Sequence, residues 1–300
     1  MGAARFLRGL IRTVEPSAIT VIVNTADDDR FFGLAVSPDL DTITYTLAGL
    51  AGPRGWGLRH DTFTCLSALE RFYDAGWFHL GDRDLATHLY RTDQLARGAT
   101  LSIVTSEISR SFGVTARILP MSDDPVRTVL HTNEGVLSFQ RYLVGRRARP
   151  QVRRVSYRGA ARARPGPGVL AAIAAADAVI VAPSNPFLSI GPILAVPGIR
   201  RALAAHPGPV AAISPLVARR AVSGPLTRLL RRFGLPVSSL GIAARYRPFL
   251  DTLVIDRRDR ADVPALAAVG VRAVVSDTIL TSPARAERLA RDLLRSLGLG

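Results

Sequence analysis

Lysine is absent from this chain of 300 residues, and cysteine is nearly so. All 39 Lys-plus-Arg positions are arginines, which indicates a codon bias toward arginine rather than selection for binding a polyanion. The one cysteine, Cys65, excludes an internal disulfide framework, and its helical surroundings predict a small core residue. One cysteine and five scattered histidines also give no zinc-binding spacing.

A hydrophobic run long enough to cross a membrane is missing as well. The longest candidate, residues 169–183, contains Asp177, whereas a spanning helix needs about 18 uncharged residues. Residues 1–14 carry three arginines and no continuous apolar segment, which argues against a secretory signal. The sequence therefore predicts a soluble, cytoplasmic protein with no membrane partner.

Acidic residues are fewer than basic ones, and the formal net charge is +15. Nine arginines and no acid lie between Arg141 and Arg164. Aromatic residues near this segment are few, so no platform for stacking bases is evident. Binding of nucleic acid is therefore unlikely on this pattern, and a solvated basic face is the alternative we favour.

The second half of the chain alternates apolar strand patterns with helical patterns, which predicts an α/β fold with a doubly wound, mostly parallel sheet. We expect a single α/β domain over residues 1–300. Within it, residues 42–112 are predicted to be a helical insertion and residues 114–158 a β-hairpin region. Short strands are predicted at residues 77–80 and 237–242.

Aspartates are grouped tightly beside loop-forming residues. The groups are Asp27 to Asp29, Asp39 with Asp41, Asp82 with Asp84, and Asp123 with Asp124. Like charges repel, so a fold tolerates such groups in water or around a cation. The first group follows an apolar run, residues 19–23, and α/β sheets bind ligands beyond the carboxyl ends of their strands. This pattern predicts a Mg²⁺-assisted reaction on a phosphorylated substrate, with Asp27 or Asp28 as a metal ligand; helix capping or turn formation is an equally compatible alternative.

Other candidates also have a structural alternative. Ser184 and Asn185 lie between two prolines and can hydrogen-bond a phosphate or a base, or simply form a turn. The guanidinium of Arg83 suits a phosphate, or it can pair with a neighbouring aspartate. His88 follows Asp84 by four residues, so the two can pair on a helix. Asp123 and Asp124 are expected to cap a turn, with catalysis as the alternative.

Taken in order, five motifs resemble the 2-phospho-L-lactate transferase family of deazaflavin coenzyme F-420 biosynthesis. They are residues 24–28 (Asn-Thr-Ala-Asp-Asp), 38–42 with 45–49 (Pro-Asp-Leu-Asp-Thr and Tyr-Thr-Leu-Ala-Gly), 81–88, 120–126, and 183–186 with 189–194. The resemblance runs from residue 2 to about residue 256.

The resemblance implies a Rossmann-like core and a Mg²⁺-dependent transfer. The ribityl hydroxyl of the deazaflavin Fo would attack the phosphorus next to the lactyl or enolpyruvyl group of a guanosine diphospho donor, and GMP would leave. The residue roles that the family pattern implies are Asp41 and Arg83 for Fo, Asp28 and Asp41 for catalysis, Asp27 and Asp28 for the metal, and Gly2, Asn24, Ser184 and Asn185 for the donor. A homodimer is also implied.

Two departures from the family pattern accompany these motifs. The family begins with a strand and a Gly-rich loop just before the position of Gly2, and this chain starts inside that loop. We therefore expect a start codon placed too late or a damaged copy. The family also favours glycines near 218 and 219 and a lysine near 223, where this chain has Ala218, Arg219 and Ser223. Alternative functions are a non-catalytic, nucleotide-sugar-binding regulatory protein of the same fold and a truncated, inactive paralogue.

Overall fold

The computed structural model describes residues 1–53, 55–73 and 76–299, which group into two compact units. The N-terminal unit comprises Met1 and residues 16–167. The C-terminal unit comprises residues 2–15 and the chain from residue 168 onward. The single domain expected over residues 1–300 and its internal boundaries stay predictions beside this grouping.

In its described residues, the N-terminal unit combines three small sheets with four α-helices. The chain enters this unit after α1 (Gly2–Leu10), a helix of the C-terminal unit. Its strands are β1 (Thr20–Val23), β2 (Asp29–Phe31), β3 (Leu34–Val36), β4 (Arg117–Pro120), β5 (Arg127–Thr132), β6 (Gly135–Ser138) and β7 (Val152–Arg158). Its helices are α2 (Pro38–Leu47), α3 (Thr64–Leu69), α4 (Asp82–Ala96) and α5 (Leu101–Ser111).

Pairing of these strands is both parallel and antiparallel. Strand β1 pairs with β4 in parallel, and β2 pairs with β3 as a short hairpin. Strand β5 lies between β6 and β7 and is antiparallel to both. Along β5 the buried residues Thr128, Leu130 and Thr132 alternate with the half-buried Arg127 and Val129, so one face of this sheet is partly open.

In the C-terminal unit, four parallel strands form one sheet. The strands of this unit are β8 (Val179–Val181), β9 (Val210–Ile213), β10 (Leu216–Val217), β11 (Arg220–Ala221), β12 (Thr252–Asp256) and β13 (Arg272–Ser276). The further helices are α6 (Val169–Ala175), α7 (Ile190–Ala195), α8 (Ile199–Ala204), α9 (Leu226–Arg232), α10 (Ser239–Tyr246), α11 (Val263–Ala267) and α12 (Pro283–Ser296). The parallel sheet has the order β13-β12-β9-β8.

Strands β9 and β12 occupy the middle of this sheet, and every residue in them is buried. Continuous apolar strands joined through helices are typical of a parallel sheet covered on its faces. The predicted α/β class with a Rossmann-like, doubly wound, mostly parallel sheet is therefore confirmed.

Helix α1 packs against α12 through a glycine. A Cβ atom on Gly9 would collide with the backbone of Ala286, so the absence of a side chain permits the close approach of the two helices. Phe6, Leu7 and Leu10 of α1 are buried on the same side of the chain's first helix. The apolar spacing of the first ten residues thus produces a helix whose buried side meets the last helix.

Two predicted strands are wrong. Residues 77–80 form no strand, because Phe78 stacks on Phe31 with ring centroids 3.8 Å apart instead of pairing its backbone. Residues 237–242 run into helix α10, whose first backbone N–H, that of Ser239, donates to the Asp262 carboxylate at 2.9 Å. A side chain distant in sequence stabilises this helix start, and local apolar content does not reveal it.

Cys65 is exposed, so the predicted core role is wrong. Helix α3 has six residues and buries only Leu66, which leaves the cysteine at the surface. Across the described ranges, no helix is long and apolar enough to cross a membrane.

Candidate active site

The loop after β1 is held by Asn24. Its side-chain Oδ1 accepts the Ala26 N–H at 2.9 Å, and its Nδ2 donates to the Asp39 carboxylate at 3.0 Å. Asn24 is buried, and both ends of its amide are therefore engaged within the N-terminal unit. The contacts explain how the acids that follow β1 are fixed in place; the donor contact expected of Asn24 stays a prediction.

Asp27 and Asp28 are carboxyl groups with few hydrogen bonds and raised pKa values. One oxygen of Asp28 accepts the Ser37 hydroxyl at 2.8 Å. The Oδ1 atoms of Asp27 and Asp28 are buried and accept no hydrogen bond from the described residues. Burial raises the pKa of Asp28 to about 7. Burial, together with the nearby Asp39 and Asp28 carboxylates, raises the pKa of Asp27 well above its usual value.

Both aspartates line a cavity of about 230 Å³. Its remaining wall comes from Ala26 and Asp29, from Arg127, Thr128 and Val129 of β5, from residues 136–139 of the hairpin that follows, and from Arg158 of β7. The cavity thus places three carboxyl groups, two of them with a raised pKa, and two guanidinium groups around one small space, a combination typical of functional sites.

The same two carboxyl groups fit a divalent cation that is shared with a substrate. Each has an oxygen that accepts no hydrogen bond from the described residues, and burial raises both pKa values, so a cation would stabilise the charged forms. Mg²⁺ is commonly held by one or two carboxylates plus substrate phosphates. Throughout residues 1–53, 55–73 and 76–299, no group of three or more His, Cys, Asp or Glu side chains is arranged to hold a metal unaided. The residues therefore suit a metal that binds together with a phosphorylated ligand.

Asp41 lies in a separate buried cluster between helices α2 and α4. The Arg91 guanidinium donates to both of its carboxylate oxygens, with Nη1 3.2 Å from Oδ2. His88 Nδ1 is 3.7 Å from Asp41, and its Nε2 is 3.4 Å from Asp84. The Tyr45 hydroxyl donates to Asp84 at 2.7 Å. The expected pairing of His88 with Asp84 is thus confirmed, and five charged or polar side chains hold the two helices together.

The pKa values of the two carboxyl groups in this cluster are shifted in opposite directions. Burial raises the pKa of Asp41, although the Arg91 charge opposes the shift. Burial would also raise the pKa of Asp84, but hydrogen bonding to His88 and the His88 charge lower it below the usual value. The Asp41 side chain interacts with Arg91 and His88, and only 5% of the residue is exposed to solvent.

Arg83 lies apart from Asp41, at the exposed start of α4. Its guanidinium donates to the Arg59 carbonyl at 3.3 Å, and its backbone N–H donates to the Asp61 carboxylate at 2.7 Å. Within the described residues it forms no ion pair with Asp82 or Asp84, so the expected alternative of a neighbouring salt bridge is not found. The roles of Asp41 and Arg83 toward Fo stay predictions.

The acids at 82, 123 and 124 have structural partners. Asp82 accepts the backbone N–H groups of Thr64 and Cys65 at the start of α3. Asp123 accepts the Ser102 N–H at 2.7 Å near the start of α5, and Asp124 accepts the Arg164 N–H at 2.7 Å. All three groups accept backbone N–H groups, and Asp82 and Asp123 do so at helix starts; the turn cap expected of Asp123 and Asp124, and catalysis as its alternative, stay predictions.

Three residues expected at the donor lie together in the C-terminal unit. A Cβ atom on Gly2 would collide with the Pro183 carbonyl, so glycine is required there. Asn185 Oδ1 accepts the N–H groups of Phe187 and Leu188, at 2.9 and 3.1 Å. Ser184, half-buried, precedes it. The loop is thus ordered by its own asparagine, and the contacts of Gly2, Ser184 and Asn185 with a donor stay predictions.

The departure from the family's glycines at residues 218 and 219 falls in a turn with a left-handed backbone. Ala218 and Arg219 form the two-residue turn between β10 and β11, with φ values of 50° and 57°. This left-handed region favours glycine. Both backbone N–H groups donate to the Asp259 carboxylate at 2.9 Å, which holds the turn in place.

Arg91, Ser37 and Arg127 escaped the sequence-based reasoning. A usable signal exists for Arg91, because it continues the row of polar residues Asp84, Thr87 and His88 at helical spacing, and all of them are buried. A buried polar row on a helix indicates an internal network. Ser37 and Arg127 have no comparable local signal.

Comparison with known proteins decides the family. A sequence model described as 2-phospho-L-lactate transferase CofD matches residues 1–288. This chain belongs to the 2-phospho-L-lactate transferase family. The match extends beyond the five motifs, and membership places the chain in a family of transferases.

Relatives of this transferase carry two different names. A 2-phospho-L-lactate transferase of Methanosarcina mazei is 40% identical over 296 residues, covering 98% of this chain and 97% of the relative. A phosphoenolpyruvate transferase of Kitasatospora aureofaciens is 41% identical over 303 residues, covering 98% and 94%. One of the same name from Streptomyces griseus is 41% identical over 301 residues, covering 98% and 95%.

Among solved structures, a UPF0052 family protein of Bacillus halodurans, BH3568, has the same fold. Its TM-score is 0.63 at 18% identity, and the match covers 98% of this transferase and 96% of that chain. At this identity the likeness concerns the fold alone.

Proposed function

We propose that this chain transfers a 2-phospho-L-lactyl or enolpyruvyl phosphate group from a guanosine diphospho donor to the ribityl hydroxyl of the deazaflavin Fo, with release of GMP. The observation that carries the proposal is the pair of aspartates at the cavity, Asp27 buried and Asp28 half-buried, each with an oxygen that accepts no hydrogen bond from the described residues. Family membership supplies the class of reaction.

In the proposed reaction, the Fo hydroxyl oxygen forms a bond to the phosphorus that bears the three-carbon acid. The bond from that phosphorus to the bridging oxygen of the diphosphate breaks, and GMP leaves with this oxygen. The hydroxyl proton passes to a carboxylate. Asp28 suits this task because its Oδ1 accepts no hydrogen bond from the described residues while Ser37 holds its other oxygen.

Mg²⁺, when bound by Asp27 and Asp28, would neutralise charge on the diphosphate oxygens. Ser37 would keep Asp28 oriented. Asp41, fixed by Arg91 and His88, would keep the first turn of α2 against α4 behind Ser37. Reactions of this type need positioning and charge neutralisation more than covalent participation by the protein.

The proposal is tested by mixing the protein with Fo, Mg²⁺ and each donor, and by following GMP and the deazaflavin product by mass spectrometry. Asp28→Asn should lower kcat by about 10²–10⁴-fold. The matched control is Asp93→Asn, an exposed acid on α4 whose partner is Arg97, and it should retain wild-type activity. Both donors belong in the test, because relatives of both names match this chain at 40–41% identity.

Three outcomes would contradict the proposal. If the wild-type protein made no product from either donor, it would not catalyse the proposed transfer. Tight binding of a guanosine nucleotide without any binding of Fo would favour the regulatory alternative. Full activity in Asp28→Asn would remove the role of the cavity. A homodimer, which the resemblance implies, is a further proposal that sedimentation equilibrium would test against the 32.2 kDa mass of one chain.

A further inference from the structure

Arg127 stands out at the cavity because it has no acidic partner. It is half-buried at the start of β5, and one guanidinium nitrogen donates to the Val126 carbonyl at 2.7 Å. Across the described chain it forms no ion pair. Arg127 and Asp28 line the same cavity.

A second arginine faces the same space. Arg158 of β7 is directly opposite Arg127 in the strand register, and both line the cavity. Like charges opposite one another on paired strands repel. Asp27, Asp28 and Asp29 line the same cavity and offset part of this repulsion, and a bound anion would offset more of it, so the two arginines can hold a negatively charged ligand.

The rest of the wall limits the size and character of the ligand. Val129, Val136, Leu137 and Phe139 supply an apolar part of the lining. The volume of about 230 Å³ is below the roughly 300–1,000 Å³ of pockets that take drug-sized ligands. A small group with an apolar carbon and an anionic end fits this space better than a guanosine or a tricyclic ring.

The three-carbon acids of both possible donors have this chemistry. In a 2-phospholactyl or an enolpyruvyl phosphate group, the carbon bound to the phosphate ester oxygen also carries a carboxylate and a methyl or methylene group. A phosphate near Asp27 and Asp28 would therefore place the carboxylate only two bonds beyond the ester oxygen. Aspartates repel that carboxylate, whereas a guanidinium binds it through two parallel hydrogen bonds.

We propose that Arg127 binds the carboxylate of the three-carbon acid of the donor, and that the cavity beside Asp27 and Asp28 is the subsite for this end of the donor. The inference rests on the proposed function and deepens it. Arg127 is thereby a residue that distinguishes donors by their acid group, while the hairpin residues Val136 and Leu137 contact its apolar carbon.

The test crosses a variant with a matched change in the donor. Arg127→Gln and the wild-type protein are each assayed with the lactyl donor and with a donor in which an isopropyl group replaces the lactyl group. Loss of a hydrogen bond to a charged group should lower kcat/KM of the variant about 10- to 100-fold with the lactyl donor. The same substitution should change kcat/KM little with the isopropyl donor. Arg127→Lys should recover part of the loss, because it keeps the charge without the two-pronged geometry.

Arg153→Gln is the control, since Arg153 is an exposed arginine of β7 outside the cavity lining, and both donors should react as with the wild-type protein. An equal loss of kcat/KM with both donors in Arg127→Gln would show a structural or phosphate-binding role and overturn the assignment. An unchanged kcat/KM with the lactyl donor would overturn it as well.

The wild-type protein alone gives a second measurement that needs no folded variant, because its kcat/KM should be about 10- to 100-fold higher with the lactyl donor than with the isopropyl donor. Equal use of both donors would overturn the inference and leave the proposed function intact, whereas no product from any donor would overturn both.

Discussion

Aspartates that occur in similar groups in the sequence have different hydrogen bonds and ion pairs in the structure. Asp27 and Asp28 line the cavity, and each has an oxygen without a hydrogen bond from the described residues, whereas Asp41 is paired with Arg91 and Asp82 accepts two backbone N–H groups. The cost of burying a carboxylate depends on its partners, so each of these groups has its own pKa. Their energetic consequences can be measured one residue at a time.

Asp28 should make the stability of the metal-free protein depend on pH. Its pKa is about 7 in the folded chain against a usual value of 3.8, so the folded state holds a proton between these values that the unfolded state has lost. Stability should therefore fall as pH rises from about 4 to 7, by up to about 4 kcal/mol for this group. Urea unfolding in EDTA at pH 5 and pH 8 measures the difference.

Asp28→Asn should shrink that pH difference without removing it, because burial also raises the pKa of Asp27, Asp39 and Asp41. The exposed control, Asp93→Asn, should behave as the wild-type protein. An unchanged pH dependence in Asp28→Asn would show that this carboxyl group is ionised in the folded state without penalty.

Arg91 is the charge on which the buried cluster depends. Replacing it with methionine leaves the Asp41 carboxylate buried without its cation, which should cost about 3–5 kcal/mol of unfolding free energy. The double variant Arg91→Met, Asp41→Leu should recover part of this loss, because no uncompensated charge remains. Urea unfolding near pH 7 measures both.

The matched control is Arg97→Met, directly after the end of α4, where the pair with Asp93 is exposed on both sides. Its cost should stay below about 1 kcal/mol. Similar costs for Arg91→Met and Arg97→Met would contradict the structural importance of the buried pair.

At the scale of single elements, the turn of the β10–β11 hairpin has a strained backbone, and a glycine substitution should relieve the strain. Ala218 has a left-handed backbone with φ of 50°. Ala218→Gly should stabilise the protein by roughly 0.5–1 kcal/mol, because relief of the Cβ contact exceeds the added freedom of the unfolded chain. Thermal unfolding would show the gain as a higher Tm.

Ala204→Gly supplies the opposite control, since Ala204 is an exposed residue of helix α8. There the same change should cost up to about 1 kcal/mol. A destabilising Ala218→Gly would mean that the two hydrogen bonds to Asp259 hold the turn without strain.

Charge acts at the scale of the whole molecule. With a net charge of +15, the protein should bind DNA weakly and without sequence preference, with a Kd no tighter than about 1 μM at physiological salt. Fluorescence anisotropy with two unrelated duplexes at 50 and 200 mM salt measures this. Replacing the exposed Arg149 and Arg153 with glutamine should reduce the salt dependence and leave the transferase reaction unchanged. Nanomolar binding of one duplex that persists at 200 mM salt would contradict this view of the basic segment.

The sequence alone determined the class of fold and the family. Alternation of apolar strands with helices predicts a parallel sheet, because each element must bury one face against the next. The grouping of Asp27 and Asp28 directly after β1 was equally visible, since strand ends and loops are local features. Local apolar content misled at residues 77–80 and 237–242, where Phe31 and Asp262 decide the outcome from a distance.

Only the tertiary structure decided which side chains meet. Arg91 binds Asp41 across 50 residues of sequence, and Arg127 reaches the cavity beside Asp28 from a strand that begins about 100 residues later. Such contacts arise from packing between elements, and neither periodicity nor spacing encodes them. The family could therefore be read from motifs, whereas the partner of each buried charge, and with it the pKa and the proposed carboxylate subsite, required the folded chain.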